Sequence, residues 1–222
     1  MSLVLPIGAT TALAQTSQPS AKVTAKTSAL TLLPETTGTG DWKTILSNKI
    51  KTSNQKDLIV GVSLEVGLYT RTLAKSKTMV TDSSTARGIV QVRVLVDGTA
   101  IEPGAVVFGR RSQTLNVTLE GAIASCLTLV TNADGTQSIV LDPACVTAEE
   151  IELILETMDA AAFNFVAPNI PQGVHTVSVQ ARIDTAGSAD QGSFEAKATV
   201  GKGSMTVESV RMIRGEDVVE VQ

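Results

Sequence analysis

Apolar and polar residues alternate along most of the chain, which is the pattern of β-strands that bury one face. In residues 58–68 every even position is Leu or Val, whereas the odd positions include Gly61, Ser63 and Glu65. Because the side chains of a strand alternate between its two faces, one face of this segment is apolar. Burying its six large side chains would contribute roughly 9–18 kcal/mol before the entropy cost. The segment is therefore predicted to be a long, half-buried strand.

The same alternation recurs in four further segments, at residues 90–96, 115–119, 177–183 and 194–200. Asp97 and Gly98 supply a two-residue hairpin turn after the first of them. Near the C-terminus Met205 and Val207 share one face, but Val210 lies on the other, which predicts a bulge or break near Ser209. Strands with one polar face belong to antiparallel sheets. Frequent turns favour a mainly β fold, an antiparallel β-sandwich in jelly-roll or Greek-key order.

One short α-helix is predicted at residues 147–161. Thr147 and Glu150 have the spacing of a capping box, in which each side chain accepts a backbone N–H of the first turn. Ile151, Ile154 and Met158 then fall on one helical face. The acidic residues of this segment form a solvated face rather than a catalytic carboxylate pair. The helix is expected to lie over an edge or an end of the sandwich.

Three regions are predicted along the chain. Residues 1–14 look like a secretory signal, with Ala12-Leu13-Ala14 as its cleavage site, although no Lys or Arg precedes the apolar stretch. The alternative interpretation is a flexible apolar N-terminus. Residues 15–40, rich in Ser, Thr, Ala, Pro and Gly, are predicted to be a flexible arm or linker. Residues 41–222 would form a single domain that is secreted or held in the cell envelope, with no membrane span in the mature chain.

The composition and net charge restrict the classes of possible binding partner. Hydrophobic residues make up 43% of the 222 residues and aromatic residues only 3%, so the core is expected to be aliphatic. The net charge of −4 argues against a nucleic-acid partner and against adsorption to anionic membranes. No sequence pattern indicates a cofactor or a metal centre.

The two cysteines, Cys126 and Cys145, flank a predicted hairpin that turns at Asp134-Gly135. A two-residue turn makes paired residue numbers sum to 269, and the cysteine numbers sum to 271. The thiols would therefore lie close together at the open end of the hairpin. In an exported protein a disulfide is the natural interpretation, and two unpaired buried thiols are the alternative.

Few residues could carry chemistry. His175, the single histidine, is expected near the inward face at a strand start, where a structural role fits better than a catalytic one. Asn132, Asp134, Gly135 and Asp142 allow a weak calcium site, but the calcium-loop pattern fails at both ends and a plain turn explains the residues fully. Trp42 and Tyr69 are candidate ligand contacts for sugar or peptide, with core or edge packing as the alternative.

Three stretches, at residues 50–58, 92–98 and 173–179, resemble a loose set of uncharacterised secreted bacterial proteins. The last stretch also resembles a strand that precedes the final strand pair of jelly-roll domains. This resemblance implies an exported β-sandwich and no particular substrate.

The sequence therefore predicts a protein that is not an enzyme and works by binding or assembly. Homo-oligomerisation is expected through the N-terminal arm, residues 22–33, or through sheet edges. Two alternatives are a carbohydrate- or peptide-binding module and a hydrolase with an unrecognised carboxylate site.

Overall fold

A computed structural model describes residues 22–29, 31–33, 38–77, 79–121 and 126–212, and every regular element in these ranges is a β-strand. The strands are β1 (Lys22–Ser28), β2 (Thr31–Leu32), β3 (Gly38–Thr39), β4 (Lys43–Thr52), β5 (Lys56–Ser76), β6 (Thr81–Val96), β7 (Thr99–Ala100), β8 (Val106–Thr118), β9 (Leu127–Thr131), β10 (Gln137–Leu141), β11 (Glu149–Ile170), β12 (Gly173–Ala189) and β13 (Ser193–Val210).

Two antiparallel sheets form a β-sandwich, as predicted. The first sheet has the order β1-β13-β5-β11, with the short β2 beside β13. In the second sheet β12 and β6 are central; β3 and β4 flank β12, and β7 and β8 flank β6. The strands β9 and β10 form a separate hairpin. None of the described ranges contains a helix that could span a membrane.

The core lies between the two sheets and is mainly aliphatic, with Phe108 and Phe165 as its aromatic members among the described residues. The predicted apolar face of β5 is buried throughout, from Leu58 at 0% exposure to Leu68 at 6%. The alternating faces of β6 and β12 are buried opposite it, among them Val92 and Val179 at 0%. Asp97 and Gly98 both have positive φ and form the two-residue turn between β6 and β7. The alternation of side chains therefore identifies the core strands correctly.

The predicted helix at 147–161 is wrong, because from Glu149 onward this segment belongs to strand β11. It pairs antiparallel with β5 from Glu149 opposite Ser76 to Ile170 opposite Lys56. The long β5 would otherwise leave one row of backbone N–H and C=O groups without partners. Thr147 and Glu150 do not form the capping box; Glu150 instead pairs with Lys75 across the strands.

The bulge or break predicted near Ser209 is wrong, because Ser209 stays paired with β5 and buried on the same face as Met205 and Val207; a different shift of the buried face lies earlier in β13. Ala196, Ala198 and Val200 are buried at even positions, and Met205 and Val207 at odd ones. The pairing with β5 slips between Val200 and Gly203 rather than near Ser209, which is still buried. The bulge therefore falls at Gly201-Lys202.

The described part of the predicted arm forms strands in the same chain's own sheet. β1 pairs antiparallel with β13, from Lys22 opposite Ser209 to Ser28 opposite Gly203, and β2 pairs with β13 further along. Leu33 is buried in the core. The signal-like segment 1–14 lies outside the described residues.

Candidate interaction surface

The N-terminal part of β11 is exposed on both of its faces. On one side β11 pairs with β5; on its outer side the described chain offers only an isolated bridge, between Val166 and Glu102. Every residue in 149–160 is exposed, although the segment is rich in large apolar side chains. These are Ile151, Leu153, Ile154, Leu155 and Met158, which are 36–59% exposed.

Polar contacts fix this exposed strand on the sandwich. Gln113 of β8 is buried and donates to Thr72 Oγ1 at 2.6 Å and to the carbonyl oxygen of Leu153 at 2.8 Å. It also accepts a hydrogen bond from Thr70 Oγ1 at 2.8 Å. On the outer face, Glu152 of β11 pairs with Arg71 of β5. The strand is thus held in place although its side chains face solvent.

A second apolar surface is the hairpin of β9 and β10, whose strands pair only with each other within the described chain. One face of the hairpin carries Leu127, Leu129, Ile139 and Leu141, which are 42–69% exposed. No charged residue occurs in either strand. The hairpin and residues 149–160 of β11 are called the apolar surface below.

The tip of the hairpin is a hydrogen-bonded turn. Asp134 Oδ1 accepts hydrogen bonds from the backbone N–H of Thr136 at 3.0 Å and from its hydroxyl at 2.6 Å. These bonds hold the pKa of Asp134 below its usual value. Asp142, proposed with it for calcium, accepts from the N–H of Ala144. Among the described residues no three His, Cys, Asp or Glu side chains converge on a metal-sized site.

The predicted disulfide joins Cys126 and Cys145, whose Cα atoms are 5.4 Å apart. The register differs from the expected one, because Thr131 pairs with Gln137 and paired numbers sum to 268. A turn after Asp142, closed by a hydrogen bond from the N–H of Cys145 to the carbonyl of Asp142, brings Cys145 back to Cys126. The disulfide thus closes the base of the hairpin.

The two aromatic candidate residues, Trp42 and Tyr69, have different surroundings. Trp42 is half-buried, and the guanidinium carbons of Arg93 and Arg182 lie 4.3 and 4.5 Å from its ring centroid. Tyr69 is half-buried on the outer face of the first sheet, beside a depression of about 350 Å³ over Gly67. Lys197 and Met158 also line this depression.

His175 is buried at the start of β12, with both ring nitrogens near acceptors. Nδ1 lies 2.7 Å from Oδ2 of Asp97, and Nε2 lies 2.9 Å from the carbonyl oxygen of Pro171. The other carboxylate oxygen of Asp97 accepts the N–H of Thr176. The hydrogen bond with Asp97 raises the pKa of His175. Asp97 and Glu102 line a depression of about 410 Å³ together with His175. The hydrolase alternative requires a cleft lined by two or three carboxylates.

The larger part of the apolar surface, residues 149–160 of β11, was not predicted from the sequence, because this segment was assigned to a helix. The helical interpretation placed Ile154 and Met158 on a face turned toward the sandwich, and both are exposed. The alternation of Ile151, Leu153 and Leu155 with Glu150 and Glu152 was the signal that favours a strand.

No family model and no curated protein matches the chain. Among solved structures it is similar to that of the infectious bursal disease virus Gx strain, with 16% identity and a TM-score of 0.36 over 89% of this chain and 33% of that one. A subviral particle of infectious bursal disease virus is similar at 12% identity and a TM-score of 0.30, over 89% and 38%. The chain thus spans about a third of the structures it matches. Likeness at this level carries no conclusion about function.

Proposed function

We propose that this protein is an exported, non-enzymatic β-sandwich that functions by assembling with further copies of itself. The observation that carries the proposal is the apolar surface. Four large aliphatic side chains share one face of the hairpin, and five large apolar side chains are exposed within residues 149–160 of β11, rather than scattered singly. Monomeric proteins rarely expose extended apolar patches, and such patches mark protein contacts.

The backbone of β11 supports the same function. An edge strand with open N–H and C=O groups is a template for pairing with another chain. Proteins that remain monomeric protect such edges with short strands, proline or bulges, but β11 is paired with β5 without a register shift from Glu149 to Ala167. A long, regular edge whose large apolar side chains are interspersed with acids therefore favours an assembly in which another chain covers it.

The disulfide supports the extracellular part of the proposal, because disulfides persist in oxidising compartments. It also stiffens the base of the hairpin, so less conformational entropy is lost when the apolar face is buried in a contact.

Light scattering over a range of concentrations tests the proposal. The wild-type chain should give a molar mass above that of the 23.1 kDa monomer. Replacing Leu129 and Ile139 with Asp should lower the mass, because charges would be buried in the contact. Gln172→Asp with Gln191→Asp, two exposed turn positions, is the matched control and should assemble like wild type. A wild-type chain that remains at the monomer mass at every concentration contradicts the proposal.

A second candidate function, binding of a sugar or peptide, is favoured by the depression beside Tyr69. An aromatic ring, an ammonium group and a thioether at one concave site are suited to stacking and polar contacts. Thermal-shift titration with oligosaccharides and peptides tests this function. A ligand whose shift is lost in Tyr69→Ala and kept in Trp42→Ala supports it, and the absence of any shift removes it.

A further inference from the structure

The two long sides of the sandwich carry opposite charge. Strand β11 contains five acidic residues and no Lys or Arg; they are Glu149, Glu150, Glu152, Glu156 and Asp159. Strands β1 and β4 together contain five lysines and no acid; they are Lys22, Lys26, Lys43, Lys49 and Lys51. All ten residues are exposed.

The basic strands lie together on one side of the molecule. Asn48 of β4 donates hydrogen bonds to Thr24 Oγ1 at 2.6 Å and to the carbonyl oxygen of Ala25 at 2.9 Å, both in β1. These contacts join the edge of one sheet to the edge of the other. The side formed by β1 and β4 is called the basic side, and the side formed by β11 the acidic side.

The two sides lie at opposite edges. In the first sheet β1 is one terminal strand and β11 the other, with β13 and β5 between them. Since every neighbouring pair in this sheet is antiparallel, β1 and β11 also run antiparallel to each other. A second copy placed beside β11 in the same orientation would therefore present its β1 in the direction that continues the antiparallel order. Through β13 and β5, β1 lies level with residues 161–167 of β11, so the second copy must also be displaced along the strands toward Glu149 to bring its lysines against the acids.

We propose that copies of this chain associate head to tail, with the acidic side of one copy against the basic side of the next. The inference rests on the proposed function and adds the partner surface to it. A two-fold contact between two β11 strands would bring the acids of both copies together, and only Glu150 and Glu152 of each are paired with cations of β5. Like charges across an interface are costly. The acidic side of one copy meets the basic side of the next only when all copies are oriented in the same direction along the assembly.

A contact of this kind is heterologous, since it joins two different surfaces. Heterologous contacts produce closed rings when the rotation between copies closes, and open chains when it does not. Each added copy leaves one acidic and one basic side available, so the mass of the assembly should grow in steps of one chain.

Charge reversal on each side tests the proposal. The first variant carries Glu156→Lys and Asp159→Lys, two acids that form no ion pair within the described chain. The second carries Lys26→Glu and Lys49→Glu on the basic side. The control for the first variant, Asp190→Lys with Gln191→Lys, changes the charge by +3 at the turn between β12 and β13, against +4 in the variant. Circular dichroism and thermal melting confirm that each variant is folded.

Light scattering at low salt then distinguishes the outcomes. We expect each reversal variant alone to associate at least about ten-fold more weakly than wild type, because like charges meet at the contact. An equimolar mixture of the two variants should regain the wild-type mass, and the control should keep it. Salt at 0.5 M should weaken the wild-type assembly by screening the attraction.

Three results would overturn the head-to-tail arrangement. If the basic-side variant keeps the wild-type mass, the contact does not use that side, although self-assembly itself remains. If both variants dissociate and their mixture does not recover, the two sides do not meet each other. If wild type is monomeric throughout, the proposed function fails, and the arrangement fails with it.

Discussion

His175 and Asp97 join the start of β12 to the turn that follows β6, with Nδ1 of the imidazole 2.7 Å from Oδ2 of the carboxylate. The second ring nitrogen lies 2.9 Å from the carbonyl oxygen of Pro171. Both partners are acceptors, and a neutral imidazole has only one N–H to donate. The doubly protonated ring satisfies both contacts, which is why the pKa of His175 is raised.

This pair predicts a loss of stability toward alkaline pH. The stabilisation by His175 is complete below the ordinary histidine pKa of 6.5 and is lost as pH rises through the raised value. The pKa of Asp97 is lowered, chiefly by its hydrogen bond with His175, so its contribution is lost only as pH falls below the ordinary 3.8. We expect the pair to be most stabilising between about pH 4 and pH 6.5.

Urea unfolding at pH 5.5 and pH 8.5 measures the effect. Since His175 is the single histidine, wild type should lose about 1 kcal/mol more between these values than Asp97→Asn, which lacks the charged acceptor. Asp190→Asn is the control for removal of an exposed carboxylate. Identical losses in wild type and Asp97→Asn would show that the pair does not control this transition.

The burial of two phenylalanines of β11 shows where that strand enters the core. Phe165 is fully buried and Phe163 is 42% exposed, with their ring centroids 5.3 Å apart. Phe165→Ala should lower the free energy of unfolding by about 3–5 kcal/mol, because it removes a buried ring and leaves a cavity. Phe163→Ala should cost below about 1 kcal/mol. Equal costs in urea unfolding would contradict this division, and Phe165→Leu provides a milder variant if the alanine form does not fold.

The strands of the core could be predicted because each has one buried face. In β5 and β12 the pattern of apolar residues in the sequence is the pattern of burial in the structure, from Leu58 onward and from Val177 onward. The disulfide could also be predicted, because the hairpin between the cysteines is local in sequence. Only its register depended on the five-residue loop that separates Thr131 from Gln137.

Strand β11 could not be predicted in the same way. Its residues 149–160 have no buried face, so burial imposes no period on Ile151, Ile154 or Met158. Glu, Leu and Met favour helices locally, and this preference is overridden by hydrogen bonds to β5. That partner lies 73 residues earlier at Glu149 opposite Ser76 and 114 residues earlier at Ile170 opposite Lys56, and such pairing is not visible in a local pattern. The alternation of Ile151, Leu153 and Leu155 with acids is a short local signal for a strand, but Ile154 and Met158 interrupt it, so the larger part of the apolar surface was missed.

Gln113 is predicted to be the polar anchor of β11. Replacing it with Leu would remove the partners of Thr70, Thr72 and the carbonyl of Leu153 while keeping a side chain of similar size. Buried polar groups left without partners are costly, so Gln113→Leu should lower the free energy of unfolding by about 2–3 kcal/mol. Asn116→Leu, at an exposed position of the same strand, should change it by less than about 0.5 kcal/mol. If urea unfolding gives both variants the same stability, the Gln113 contacts contribute nothing net.

The hairpin should depend on its disulfide far more than the sandwich does. Its strands pair only with each other in the described chain, and isolated two-stranded hairpins are marginally stable in water. Reduction, or replacement of Cys126 and Cys145 by Ala, should therefore speed amide exchange in residues 127–141 by about ten-fold or more, measured at a concentration where the chain is monomeric. Exchange in residues 58–68 of β5 is the internal control and should not change, because those amides belong to the core sheet.

Thiol titration of the unreduced, denatured chain should find no reactive cysteine. Unchanged protection of 127–141 after reduction would mean that contacts outside the disulfide hold the hairpin, and its apolar face would then be covered within the chain rather than by a partner.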